Sequence, residues 1–186
     1  SNNLALFGVA RAYRAKGEHL VVSALEHHAV LDSARELTRE GFTVRVVDPD
    51  RYGVVSAEAV AAALTDRSTL VSVMAANNEI GTLNPVAEIG RLCKERGVLF
   101  HSDAVQAWEK EPLDVHAMGI DLRSITAHKA YGPKGAGALF VRASSPRVRL
   151  SPLFFEGGQE RGFRSGTLNV PGIVGLGAAA RIAVLE

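Results

Sequence analysis

Residues 85–104, PVAEIGRLCKERGVLFHSDA, decide the fold class. In the first part Val86, Ile89 and Cys93 recur on one face of a helix. Pro85 suits the first helical position, Lys94 and Arg96 complement the carbonyl end, and Gly97 stops the helix. The second part, VLFHSDA, turns at once into a short β-rich run that closes on polar residues. The same unit appears upstream: in HAVLDSARELTREG, residues 28–41, Val30, Ala34 and Leu37 share a face and Gly41 ends it. Six β-rich runs (HLVVSAL, FTVRVVD, STLVSVM, VLFHSDA, DLRSITA, AGALFVR) are mostly separated by helical stretches. Strands apolar on both faces, joined by amphipathic helices, require right-handed βαβ crossovers. The expected fold is therefore α/β, with three layers and a mostly parallel sheet covered by helices on both faces. AGALFVR follows its predecessor after only a loop, so it is expected to run antiparallel.

At 186 residues the chain has material for one core and not for two full-sized domains. It carries 21 basic and 20 acidic side chains, with no block of like charge, which argues against a nucleic-acid or membrane-surface partner. No apolar run approaches the roughly 20 residues of a membrane span, and no secretory signal is visible. A single cysteine makes no internal disulfide and fits a reducing cytoplasm. SNNLALFGVARAYRAKG opens at a helix with no strand before it, and GIVGLGAAARIAVLE closes on an apolar helix. The expectation is a segment of a longer protein. From PRVRLSPLFFEGGQERGFRSGT onward the sequence is irregular and rich in Gly and Arg, as in a long functional loop.

In a parallel sheet the residues just after each strand collect along one edge, where ligands of open α/β sheets bind. Those positions carry Glu26, His27 and His28; Asn77, Asn78 and Glu79; Ser102, Asp103 and Gln106; and Thr126, His128 and Lys129. Each has a bland reading. Asp103 can cap a helix starting at AVQA, the two histidines can be a polar loop, and NNEIG can be a turn with Asn in the left-handed region. Lys129 can be a solvated loop lysine. GPKG lacks the spacing of a phosphate-binding nucleotide loop, and the histidines lack metal-ligand spacing, so no metal site is expected. As a set, however, the residues match one chemistry. A partly desolvated lysine beside His128 is nucleophilic enough for a Schiff base. Asp103 can hold a pyridinium N–H, Thr126 and His128 a phosphate, and His27 can stack on an aromatic ring. That inventory fits pyridoxal 5'-phosphate (PLP).

The stretches SNNLA, EHHAVLDSARELTREGF, NNEIGT, HSDAVQA, AHKAYGPKGAGALFVR and GGQERGFRSGTLNVPGIVGLG together resemble cysteine desulfurases of the NifS/IscS type. These are fold-type I, class V members of the aminotransferase superfamily. The resemblance implies that residues 1–186 form an incomplete PLP-binding large domain. It implies Lys129 as the Schiff-base lysine and proton carrier, Asp103 on the pyridine nitrogen, and Gln106 on the phenolic oxygen. It implies His27 over the ring, Thr126 and His128 on the phosphate, and Asn78 near the substrate carboxylate. Thr167, in RSGT, is implied to reach the phosphate of a second subunit, hence a homodimer. The implied reaction converts L-cysteine to L-alanine and leaves the sulfur as an enzyme persulfide for an acceptor such as an iron–sulfur scaffold.

The sequence departs from the family in one respect. Its only cysteine, Cys93, lies on the apolar stripe of a helix, where a buried structural thiol is expected. The family's catalytic cysteine and its substrate-binding arginine lie in C-terminal sequence not present here, and the N-terminal phosphate loop is not present either. This segment alone is therefore not expected to complete desulfuration. A selenocysteine lyase or another class V PLP enzyme shares Lys129, Asp103 and His27. A non-catalytic α/β interaction domain, in which the polar edge is only capping and turn chemistry, is the reading from another class.

Overall fold

A computed structural model of the chain describes residues 1–185. Each apolar run becomes one strand: β1 (His19–Ser23), β2 (Thr43–Val47), β3 (Ser68–Ser72), β4 (Leu99–Asp103), β5 (Leu122–Thr126) and β6 (Gly137–Val141). They form a single sheet in the order β2-β1-β3-β4-β5-β6. β2 through β5 pair in parallel and β6 runs antiparallel to β5, as the short connection requires. The helices are α1 (Asn2–Ala12), α2 (His28–Arg39), α3 (Ala57–Ala63), α4 (Val86–Glu95) and α5 (Val170–Leu185).

Alternation along the buried strands feeds two cores. Leu20, Val22, Leu70 and Leu99 face Leu6 and Val9 of α1 and Val30 and Leu37 of α2. Val21, Val71 and Phe100 face Val60 of α3 and Ile89 and Cys93 of α4. β1, β3 and β4 are buried at every position, whereas the edge strand β2 is mostly exposed. The result is the expected three-layer α/β fold.

Local readings shift by small amounts, each for a physical reason. Pro85 is the N-cap of α4 and not its first residue. The stretch after Asp103 forms hydrogen-bonded turns, with the Trp108 amide on Ala104 O at 2.9 Å, in place of the expected regular helix. Buried Arg142 holds the β4–β5 connection down instead. It pairs with Asp121 at 2.8 Å and donates to the Val115 and Ile120 carbonyls. In NNEIG the left-handed residue is Gly81 (φ +72), while Asn77 Oδ1 accepts from the Glu79 and Ile80 amides.

The chain runs outward in both directions from β1, to β2 on one side and β3 on the other. Their carboxyl ends diverge, and such a switch point opens a crevice at the edge of the sheet.

Close packing behind that edge depends on Gly90 in α4. A Cβ there would lie 1.9 Å from the Met118 carbonyl oxygen. Alanine's advantage in a helix, about 1 kcal/mol, is smaller than the loss from displacing a backbone. Gly90→Ala is expected to lower the unfolding free energy by about 1–3 kcal/mol in urea titrations.

Candidate functional site

A cleft of about 260 Å³ opens at the carboxyl ends of β1, β3, β4 and β5. Its floor is the end of β4. Asp103 is buried and accepts hydrogen bonds on both carboxylate oxygens, from Asn2 Nδ2 at 2.7 Å and from the Val105 amide at 2.9 Å. The Val105 bond is an Asx-turn contact, local capping of turns that stand where the bland reading placed a helix. The Asn2 bond comes from the first turn of α1 and had no signal in the sequence.

Three loops supply the walls. After β1, His27 is the N-cap of α2, its Nδ1 accepting from the Ala29 amide at 3.0 Å, and its ring is exposed on the cleft. After β3 come Met74, Ala76 and Asn78. After β5 come Thr126, His128 and Lys129, with Thr126 Oγ1 lying 3.0 Å from His128 Nδ1 and 3.2 Å from Ala136 O. If the hydroxyl donates to Ala136, the His128 Nδ1–H donates to it, an assignment made from the network. Gln106 completes the lining from the turns after β4.

The fold thus brings Lys129, His27, Asp103, Gln106, Thr126, His128 and Asn78 into one cleft. Thr167 is not among them; it is exposed in the loop before α5, where its carbonyl accepts from Arg164. Lys129 is exposed, contrary to the expected partial desolvation. Its turn is held by close packing on α5: a Cβ on Gly132 would lie 3.1 Å from Ala179 Cβ, and one on Gly175 would lie 2.6 Å from Pro133 Cγ. Trp108 packs on the core as a rim residue and donates its Nε1–H to Thr126 O at 3.2 Å, bracing the strand that carries the lysine turn.

Beneath the floor lie two buried titratable groups. His101, two residues before Asp103, sits between Ser72 Oγ (2.8 Å from Nδ1) and Ser124 Oγ (3.0 Å from Nε2), so it links three adjacent strands. Burial pushes its imidazole down to about 4. Glu26 is also buried, and desolvation raises its carboxyl well above the usual carboxylate range. Among the described residues no three His, Cys, Asp or Glu side chains converge to hold a metal ion, and no helix is long and apolar enough to cross a membrane.

A family model described as aminotransferase class-V matches residues 1–184. A curated cysteine desulfurase IscS from Anaeromyxobacter dehalogenans (strain 2CP-C) is 59% identical over 186 residues, covering 100% of this chain and 46% of the relative. A solved NifS-like protein superposes with a TM-score of 0.93 at 42% identity, over 100% of this chain and 51% of its own. SspA, solved in complex with cysteine, gives 0.92 at 42% identity, over 97% of this chain and 52% of its own. The chain spans about half the length of the curated relatives it matches.

Acid titration reads the floor directly. The unfolded chain takes up a proton at His101 near pH 6.5, and the folded chain only near 4. Between those values the unfolded state binds more protons, so this residue's contribution makes stability fall as pH drops through the window. His101→Asn is expected to flatten the loss in urea unfolding midpoints between pH 6.5 and 4 relative to the parent.

Proposed function

The chain belongs to the class-V aminotransferase family, and on that footing we propose that it forms the PLP-binding large domain of a cysteine desulfurase. The observation that carries the reading is the meeting, in one cleft, of a buried carboxylate at the end of β4 with a hydroxyl–imidazole pair and an amine at the end of β5. The donor set fits the cofactor. The cleft offers a primary amine for an aldehyde, an acceptor for a ring N–H and donors for a phosphate. The walls beside Met74 and Ala76 are apolar enough for a ring.

Bound PLP supplies an electron sink for negative charge at the substrate α-carbon. The protein's residues do the rest. Asp103, fixed by Asn2 and Val105, holds a proton at the ring nitrogen and keeps it there. Lys129, exposed in the cleft, would hold the cofactor through its amine and would carry a proton at the substrate α-carbon. Thr126 and His128 would hold the phosphate from the end of β5. Gln106 binds the phenolic oxygen, His27 lies against the ring face, and Asn78 orients the substrate carboxylate. L-cysteine is the proposed substrate, in keeping with the relative solved with cysteine. Thr167 is proposed to serve the phosphate of a second copy in a homodimer. The sulfur passes to an acceptor protein such as an iron–sulfur scaffold, in the cytoplasm. Cys93 is not the sulfur-accepting thiolate, because it is fully buried in the α4 core and burial raises its thiol to about 12.

Borohydride reduction of the PLP-loaded full-length protein, followed by peptide mapping, is expected to place the adduct on Lys129. Absence of that adduct overturns the reading. Lys129→Ala is expected to lower alanine release from L-cysteine by about 10²–10⁴-fold. Turnover of selenocysteine without turnover of cysteine would reassign the enzyme as a selenocysteine lyase.

A further inference from the structure

The backbone around Met74 lies where the sheet opens. On one side, the Val73 and Ala75 amides donate to His101 O (3.2 Å) and Asp103 O (2.9 Å) and so extend the β3–β4 ladder. In a strand the intervening residue points its polar groups the other way, here toward β1. But β1 has already left: its last pair with β3 is Val22–Ser72, and the Ala24 amide turns to Val47 O of β2 at 2.9 Å. Met74 would therefore have an unpaired N–H and C=O inside the protein, each costing about 1–3 kcal/mol. Side chains replace the missing strand. Glu26 Oε1 accepts from the Met74 amide at 2.5 Å, and Asn84 Nδ2 donates to the Met74 carbonyl at 2.9 Å. A second tie runs from Asn77 Nδ2 to Leu25 O at 3.0 Å.

Glu26 is next to His27, and Met74 lines the cleft that His27 overlooks. We propose that Glu26 is a positioning residue: by gripping the Met74 amide across the switch point, it fixes the His27 loop against the wall of the cofactor pocket. The proposal rests on the reading that His27 lies against the cofactor ring. The other carboxyl oxygen, Oε2, is buried with no hydrogen-bond partner, and Asp103 is close enough for its charge to disfavour a second anion. The carboxyl group grips through one oxygen, and its burial and the nearby Asp103 both disfavour the charged form. Length and the acceptor are therefore what a substitution must preserve.

The test is a double-mutant cycle in the full-length PLP-loaded enzyme, read as kcat for alanine release. Glu26→Ala is expected to lower kcat by about 10-fold or more while borohydride still labels Lys129. In a His27→Ala background the same change is expected to lower kcat by less than about twofold, because its effect has already been lost. Glu26→Gln, with the same length and one carbonyl acceptor, recovers most of the activity. Glu26→Asp, which keeps the charge and shortens the reach, does not. An Ala effect of equal size with and without His27, or an Asp variant more active than the Gln variant, overturns the proposal. If Glu26→Ala does not fold, the Gln and Asp comparison still decides. A parent enzyme that puts no adduct on Lys129 indicts the cofactor reading and is seen separately.

Discussion

β1, β3 and β4 are buried on both faces, and the site depends on that constraint. A strand with no solvent on either side cannot end loosely. Every backbone and side-chain polar group at its carboxyl end must be paired inside the protein or incur a desolvation penalty. The pairs that satisfy this demand also set the geometry of the cleft floor. Asp103 is held from two directions, His101 is fixed between two serines, and Met74 is bonded by side chains on both its polar groups. The rim is different: His27, His128 and Lys129 sit on exposed loops raised above that fixed floor. Fixed acceptors below and accessible nitrogen groups above are what a site needs if it is to orient a ring and still admit a substrate.

The bland and functional readings of single residues prove compatible. His27 caps α2 through Nδ1 and still presents its ring to the cleft. Asp103 satisfies the Val105 amide with one oxygen and meets Asn2 with the other. Structural hydrogen bonds here preset the orientation of groups that also face the cleft. The electrostatics follow the same pattern. Burial favours the uncharged forms of Glu26 and His101 beneath the floor.

Much of this was legible in the sequence. Periodicity located all six strands and the edge at which their ends collect, most plainly at β1, β3 and β4, where burial on both faces selects a run of apolar residues. Lys129, Asp103, His27 and the Thr126–His128 pair were legible for the same reason, as polar residues placed immediately after those runs. Asn2 was not, since nothing in a first-turn asparagine announces a partner 101 positions away. Glu26 read as one more polar loop residue. Its burial follows from the divergence of β1 from β3, a property of strand order that local patterning does not encode. Turns follow Asp103 where the capping reading allowed a helix. Arg142, arriving from β6, pins that connection in another shape.

The Asn2–Asp103 bond also bears on the order in which the molecule assembles. The two residues close a loop of 101 positions, and the conformational entropy of that closure must be met before the bond contributes anything. The lysine turn, braced by Ala179 and Gly175, waits in the same way for the last helix. Contacts of such long sequence separation are costly to close before they give anything back. A partly folded chain, however much of its sheet is in place, therefore has neither a fixed carboxylate nor a fixed lysine. The finished cleft is therefore a report on complete folding.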